Sequence, residues 1–175
     1  MKYLLTTTLL LITLAVNAQK EQKFHRITDT TDAYTISVPE GWRYLTKPER
    51  GSFEAWRPVS TDKPDIGMEV ATLAILNFDH SLSELIRHEI SYIKKDLKAE
   101  ILDSATVNLN GRQAFVMFSR YVDAEDSSRW QSTIVLHQFK NQSFIFEGTA
   151  PDNAGSAYMF SIFKFMGISI VPTNP

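Results

Sequence analysis

The sequence predicts an α+β domain, a three-layer α/β/α sandwich whose central, mainly antiparallel sheet of about six strands is flanked by helices on both faces. Strands separated by short polar turns follow one another between residues 105 and 150. Apolar side chains point out of both sides of these strands. In a sheet with one solvent-exposed face, apolar and polar residues would instead alternate along each strand. Two segments with helical apolar spacing flank the run, so each can cover one face.

The central strands form a meander. Asn110-Gly111 predicts a two-residue hairpin, because a type I′ turn needs a positive φ at both central positions. Asn141-Gln142 marks a second tight turn, and 123–128 is a polar connection. The predicted strands are 105–109, 112–122, 129–140 and 143–150.

Earlier strands are indicated by alternation and by turn residues. Residues 33–38 alternate apolar and polar, and the Val38-Pro39-Glu40-Gly41 turn that follows leads into Trp42, which we expect to fold back onto the sheet. The segment 19–31 can supply a short edge strand. Strands are expected at 52–59 and 67–78, with a surface loop at 60–65.

Two helices are predicted. The first spans 81–98 and opens with Ser81 as N-cap and Glu84 at N3, which is a capping box. The second begins near Pro151-Asp152-Asn153, with Asp152 as its N-cap, and stops at Gly167.

The first 18 residues have the order of a secretory signal: a lysine at position 2, an apolar run and a small residue at Ala18. We expect cleavage after Ala18, a flexible leader over 19–32 and a single domain over 33–175, located in the periplasm or secreted. With no cysteine in the chain, we expect neither disulfides nor a cysteine-linked lipid anchor.

The net charge and the hydropathy of the sequence limit which classes of binding partner we expect. The formal net charge is −2, and no concentrated basic patch of the kind that nucleic-acid binding requires is present. No apolar run after the predicted signal reaches the roughly 20 residues of a membrane-spanning helix. We therefore expect that the mature chain does not bind nucleic acid and does not span a membrane.

Three segments resemble the PsbP-like superfamily, which includes DcrB-type bacterial envelope proteins and a eukaryotic Ran-binding factor. Residues 34–42, Y-T-I-S-V-P-E-G-W, are similar to its opening strand and Pro-x-Gly-Trp turn. Residues 109–114 are similar to its Leu-Asn-Gly-Arg-x-Ala hairpin, and 144–150 to its Phe-x-Phe-x-Gly-Thr-Ala strand before a C-terminal helix. The resemblance implies an antiparallel sheet flanked by helices and a non-enzymatic accessory or binding role. It carries over no binding residue.

No catalytic constellation stands out. His80, Glu84 and His88 are spaced by four, but His80 precedes the expected N-cap, and a surface pair is favoured over a metal site. His137 is interpreted as a strand residue whose ring is hydrogen-bonded within the fold, and not as a ligand. Ser52 lacks the second glycine of a nucleophile elbow.

No metal site or cofactor is predicted. The acidic loop at 123–126 fails the calcium-loop pattern of an EF-hand and is interpreted as a solvated hairpin loop. No glycine-rich phosphate cradle is present.

The predicted function is that of an exported, non-catalytic accessory domain which binds another envelope or secreted protein. Its candidate contact residues are Arg43, Arg50, Trp56 and Arg57, in a segment rich in arginine and tryptophan. The alternative is a small-ligand-binding protein or hydrolase with a pocket near His137 or the tryptophans (Trp42, Trp56 and Trp130).

Overall fold

A computed structural model describes residues 22–47, 51–77, 81–109 and 111–173, with the backbone alone for 64–66. Two sheets and two helices are formed by these residues. The strands are β1 (Phe24–Asp29), β2 (Tyr34–Pro39), β3 (Arg43–Thr46), β4 (Phe53–Ser60), β5 (Lys63–Leu76), β6 (Glu100–Leu109), β7 (Arg112–Val122), β8 (Arg129–Phe139), β9 (Gln142–Pro151) and β10 (Val171–Pro172). The helices are α1 (Leu82–Lys95) and α2 (Met159–Ile168).

The main sheet has seven antiparallel strands in the order β3-β4-β5-β9-β8-β7-β6. The predicted meander is confirmed, since β6 to β9 pair in sequence order. Its register aligns Val116 with Val135 and Val135 with Phe146. The first half of the chain joins this meander at its open edge through β5 and β9, while α1 carries the chain across to β6 at the far edge.

The two faces of the sheet have separate apolar clusters. One contains Val116, Val135 and Phe146 together with Phe163 of α2. The other contains Met117, Ile134 and Leu136 together with Leu85 and Ile93 of α1. Successive residues of a strand point to opposite faces, so each helix covers a different side.

The α+β class is confirmed, but the sandwich is not. The main sheet has seven strands, not about six, and a second sheet of three strands accompanies it. One helix is described on each side, and the cluster beneath α1 has no member in β3, β4 or β5.

The second sheet has the order β1-β2-β10 and closes the α2 side of the core. Ile36 and Val38 of β2 are fully buried. The hydroxyl of Tyr34 donates to the Ser52 carbonyl at 3.2 Å and ties this sheet to the main one. Strand β1 is an edge strand within the segment where the sequence indicated one.

The start of α1 is as predicted. Ser81 is the N-cap, its hydroxyl accepts from the Glu84 amide, and the Glu84 carboxylate accepts from the Ser81 amide at 2.8 Å. The helix ends at Lys95, three residues before the predicted end, and Lys94 and Lys95 lie in its last turn. Cations there suit the negative end of the helix dipole.

Asp152 is not the N-cap of α2, contrary to the prediction. The helix begins at Met159, and the preceding Tyr158 makes no side-chain capping bond. The Asp152 carboxylate instead lies 3.2 Å from Arg120 Nε and 3.2 Å from Arg129 Nη2. Because β7 and β8 present two guanidinium groups at this point, ion pairing holds the aspartate at the end of β9.

The predicted loop at 60–65 is also wrong. Ser60 pairs with Lys63, so only Thr61 and Asp62 form the connection. Strand β5 starts at Lys63, but its pairing with β9 begins only at Val70. Pro64 is therefore tolerated in the part of β5 where no ladder to β9 needs its missing N–H.

Candidate functional site

Helix α1 covers only part of the sheet face on which it packs. Directly paired residues of an antiparallel sheet point to the same face. The pairs Arg43–Trp56 and Trp56–Val70 therefore share one face, and Leu45 joins them because it lies two residues beyond Arg43. We call these four residues, Arg43, Leu45, Trp56 and Val70, the open wing.

The open wing lies on the face that α1 covers farther along the sheet. None of its members belongs to either apolar cluster. Leu45 is 51% exposed, Trp56 and Val70 are half-buried, and the described residues place no helix over them. The wing is thus an apolar surface with one guanidinium at its border.

Of the four candidate contact residues, the structure brings Arg43 and Trp56 together as cross-strand neighbours. Arg43 is exposed and makes no ion pair with any described residue. Arg50 lies outside the described residues.

Arg57 lies on the opposite face and has structural partners there. Its Nε donates to Glu69 Oε2 at 3.1 Å, and its Nη2 also pairs with the same carboxylate. Its Nη1 donates to the Tyr158 hydroxyl at 2.6 Å. This bidentate contact fixes the guanidinium in one orientation and joins β4 to the segment that leads into α2.

Arg43 and Arg57 line the same groove at the free edge of β4. Strand β3 pairs with β4 up to Trp56, and the last four residues of β4 extend beyond it. A groove of about 500 Å³ lies at this edge and is bordered by both arginines, Pro58, Ser60 and Thr61. Both arginines therefore line one concave surface, although their positions in the paired strands assign them to different faces of the sheet.

His137 is buried and lines none of the three grooves found among the described residues. Its Nε2 is 2.9 Å from the Gly167 carbonyl. Burial lowers the pKa of His137 below its ordinary value, since the charged imidazolium is poorly solvated there. The neutral ring donates its Nε2 proton to Gly167, so its role is to hold α2 on the sheet.

The tryptophans do not line a common pocket among the described grooves. Trp42 is buried and makes an edge-to-face contact with Phe163 at 6.1 Å, which confirms that it folds back onto the core. Trp130 donates from Nε1 to the Ser128 hydroxyl at 2.7 Å. Trp56 belongs to the open wing.

The other polar groups of interest have local partners. His80 lies outside the described residues, and His88 Nδ1 is 3.5 Å from the Glu89 carboxylate. In the acidic loop, Asp123 and Asp126 accept from the backbone amides of Glu125 and Ser128. Across the described ranges, no group of three His, Cys, Asp or Glu side chains could hold a metal ion.

Sequence reasoning missed Glu147. This residue lies on β9 beneath α1, and Ser132 Oγ donates to its carboxylate at 3.1 Å. Burial raises the pKa of Glu147 above its ordinary value, and the negative charge of Glu89 raises it further. Its one signal in the sequence is a lone acidic residue inside an apolar strand.

Several solved structures share this fold, and three of them illustrate the similarity. PsbP of the cyanobacterium Synechocystis matches with a TM-score of 0.59 and 14% identity, over 89% of this chain and 96% of its own. The Ran-binding protein Mog1p of Saccharomyces cerevisiae matches with a TM-score of 0.64 and 13% identity, over 87% of this chain and 97% of its own. LpqN of Mycobacterium tuberculosis, which is involved in cell envelope biogenesis, matches with a TM-score of 0.54 and 13% identity, over 88% and 92%.

The resemblance to the PsbP-like superfamily is thereby confirmed at the level of the fold. At these identities the likeness concerns backbone architecture alone. No protein-family model matches the sequence, and no curated protein matches it. Within the described residues, no helix is both long enough and apolar enough to cross a membrane.

Proposed function

We propose that this chain is an exported, non-catalytic accessory domain that binds another protein of the cell envelope through the open wing. The observation that carries the proposal is the apolar sheet face around Leu45, which is 51% exposed and over which the described residues place no helix. It borders Arg43, which makes no ion pair among the described residues. Exposed apolar surface with a polar rim is typical of protein contact sites. Tryptophan and arginine are also the residues most enriched among interface hot spots.

The fold supports an accessory role by analogy. Mog1p is a Ran-binding protein, and LpqN is involved in cell envelope biogenesis. Analogy of fold alone does not set function, so the proposal depends on the wing and not on these names.

The three-layer arrangement belongs to the same proposal. In it, α1 and α2 are the outer layers over β7, β8 and β9, supported by the two apolar clusters on opposite faces. The wing is the part of the sheet where the α1 layer is missing, and a partner would complete it.

Photo-crosslinking in the cells that export the protein tests the binding site. A photoreactive amino acid at Leu45 is expected to capture one envelope protein reproducibly, whereas the same group at Thr106 is not. Thr106 is a matched control because it is exposed on the same face at the opposite edge of the sheet. Replacing Arg43 with glutamate should abolish the Leu45 crosslink, since it reverses the one charge of the wing.

Equal capture from both positions, or capture from neither, would contradict the proposed surface. The melting temperature of the Arg43→Glu variant serves as the folding control. We expect the unfolding free energy of this variant to differ from that of the parent by no more than about 0.5 kcal/mol, as is usual for an exposed position.

Export is part of the proposal and has its own test. The apolar run before Ala18 supports a cleaved signal. The expected leader over 19–32 is not separate from the domain over 33–175, because its residues 24–29 form β1 and pair with β2. N-terminal sequencing of the protein recovered from the periplasm or the medium should begin at Gln19. Recovery of a chain that still starts at Met1, in the cytoplasmic fraction, would contradict it.

A further inference from the structure

A second groove, distinct from the open wing, lies between the first half of α1 and the ends of β5 and β9. Its volume is about 310 Å³, at the lower end of the range of roughly 300–1,000 Å³ for small-molecule sites. Its apolar surface comes from Leu76 of β5, Leu85 of α1 and Ile145 of β9. It shares no lining residue with the wing, so the two surfaces can be tested separately.

The rim of this groove is negatively charged. Glu84, His88 and Glu89 of α1 line it, and no lysine or arginine is among its described lining residues. The Glu89 side chain is 12% exposed, so its carboxylate is largely shielded from water. Glu147, beneath the same helix, feels the charge of Glu89.

Ser143 adds a second, independent observation. It lines the groove, is 1% exposed, and its Oγ has no hydrogen-bond partner among the described residues. Because Ser143 pairs directly with Leu76 across β5 and β9, its side chain lies on the same face as the groove. An unpaired hydroxyl in a buried wall is costly and is normally satisfied by a partner.

We propose that this groove binds a small amphipathic amine, with its hydrocarbon body on Leu76, Leu85 and Ile145 and its ammonium group donating to Glu89. The apolar floor selects a hydrocarbon or aromatic body. The carboxylates select a cationic head, because a charge-assisted N–H···O⁻ contact is stronger than a neutral one and an anionic head would be repelled. Ser143 provides one further hydrogen bond to the ligand.

Three probes of eight carbon atoms each separate these contributions: octylammonium, octanol and octanoate, each below its micelle concentration. We expect isothermal titration calorimetry to show saturable binding of octylammonium to the full protein. Octanol should bind about tenfold more weakly, since its head lacks the positive charge, and octanoate more weakly still, since its head is negatively charged.

Single substitutions test which side chains contact the ligand. Glu89→Gln should reduce octylammonium affinity about tenfold and leave octanol unchanged, because it removes the charge but keeps the shape. Ser143→Ala should weaken octylammonium a few-fold. Glu125→Gln, on the exposed loop between β7 and β8, is the matched control and should change nothing.

The proposal is overturned if octanol or octanoate binds as tightly as octylammonium, or if no probe binds. It is also overturned if Glu89→Gln and Ser143→Ala both retain full octylammonium affinity. Neither result depends on the open wing, since the probes are tested on purified protein without a partner.

Discussion

At the scale of single residues, two glycines decide how closely α2 approaches the sheet. A Cβ added at Gly148 would lie 2.2 Å from the Phe163 ring, and one added at Gly167 would lie 2.4 Å from a Val135 methyl group. Neither glycine has a positive φ. Their role is to remove side-chain bulk, so that the helix can lie directly on β8 and β9.

Gly148→Ala is expected to lower the unfolding free energy by about 1–3 kcal/mol, because the added methyl group overpacks a buried contact with Phe163. Chemical denaturation measures the loss. A double variant with Phe163→Leu should lose less than the sum of the two single changes, since the smaller side chain makes room. Strict additivity would show that the two residues do not interact.

Glu147 gives the protein a pH dependence at one residue. The pKa of its carboxyl is raised in the folded state by burial first and by Glu89 second, and the hydrogen bond from Ser132 opposes the rise. Tyr92 and Tyr121 also face this carboxyl. The folded chain holds the proton more tightly than the unfolded chain, so the unfolding free energy falls as the pH rises above the ordinary value of 4.5.

Glu147→Gln removes this penalty while it keeps the shape of the side chain. The unfolding free energy of the variant minus that of the parent should increase from about pH 4.5 upward and level off above the raised pKa. Urea unfolding curves at a series of pH values measure the difference. A difference that stays constant with pH would show that Glu147 titrates alike in both states.

At the scale of elements, the local signals that predicted structure correctly are contacts between sequence neighbours. The capping box placed the beginning of α1 correctly, because Ser81 and Glu84 satisfy each other within one turn. Asp152 carries the same kind of signal but does not cap α2, and its carboxylate pairs with Arg120 and Arg129 across two strands. A cap is a contact between sequence neighbours, whereas this ion-pair network depends on the register of the sheet.

The hairpin between β6 and β7 allows a test of a turn by itself. Gly111 has a φ of +87°, as expected for this turn, and a Cβ there would meet nothing within 4 Å. Gly111→Val should therefore cost about 1–2 kcal/mol through backbone strain alone. Gly111→Asn, which tolerates the left-handed region, is the control and should cost less. Equal melting temperatures for the valine variant and the parent would contradict the hairpin assignment.

At the scale of the whole molecule, the two helices pack over the middle strands of the main sheet and leave its β3 edge exposed. Residues 131–137 of β8 are all buried, and both apolar clusters include β8 residues. All four residues of β3 are exposed. Local stability should follow this gradient, since openings start where few apolar contacts resist them.

Native-state hydrogen exchange is expected to show the slowest amides in β8 and the central part of β9, and fast exchange in β3. The reason is that exchange from β8 requires loss of both clusters, whereas β3 can detach from one edge. Exchange from β3 as slow as that from β8 would contradict the open wing as a bare surface. Protection of β3 that appears only with a captured partner would agree with the proposed function.

The sequence by itself determined the strands of the meander, the Gly111 turn, the start of α1 and the α+β class. These depend on alternation, helical spacing and contacts within one turn, all of which are written in neighbouring residues. The tertiary structure alone decided that Arg43 and Trp56 are neighbours while Arg57 faces the other way. It also decided that the apolar cluster beneath α1 has no member in β3 to β5, and that Ser143 lines a groove with Glu89. These depend on strand order and helix placement, which bring together residues far apart in the chain, and no local pattern encodes such distances.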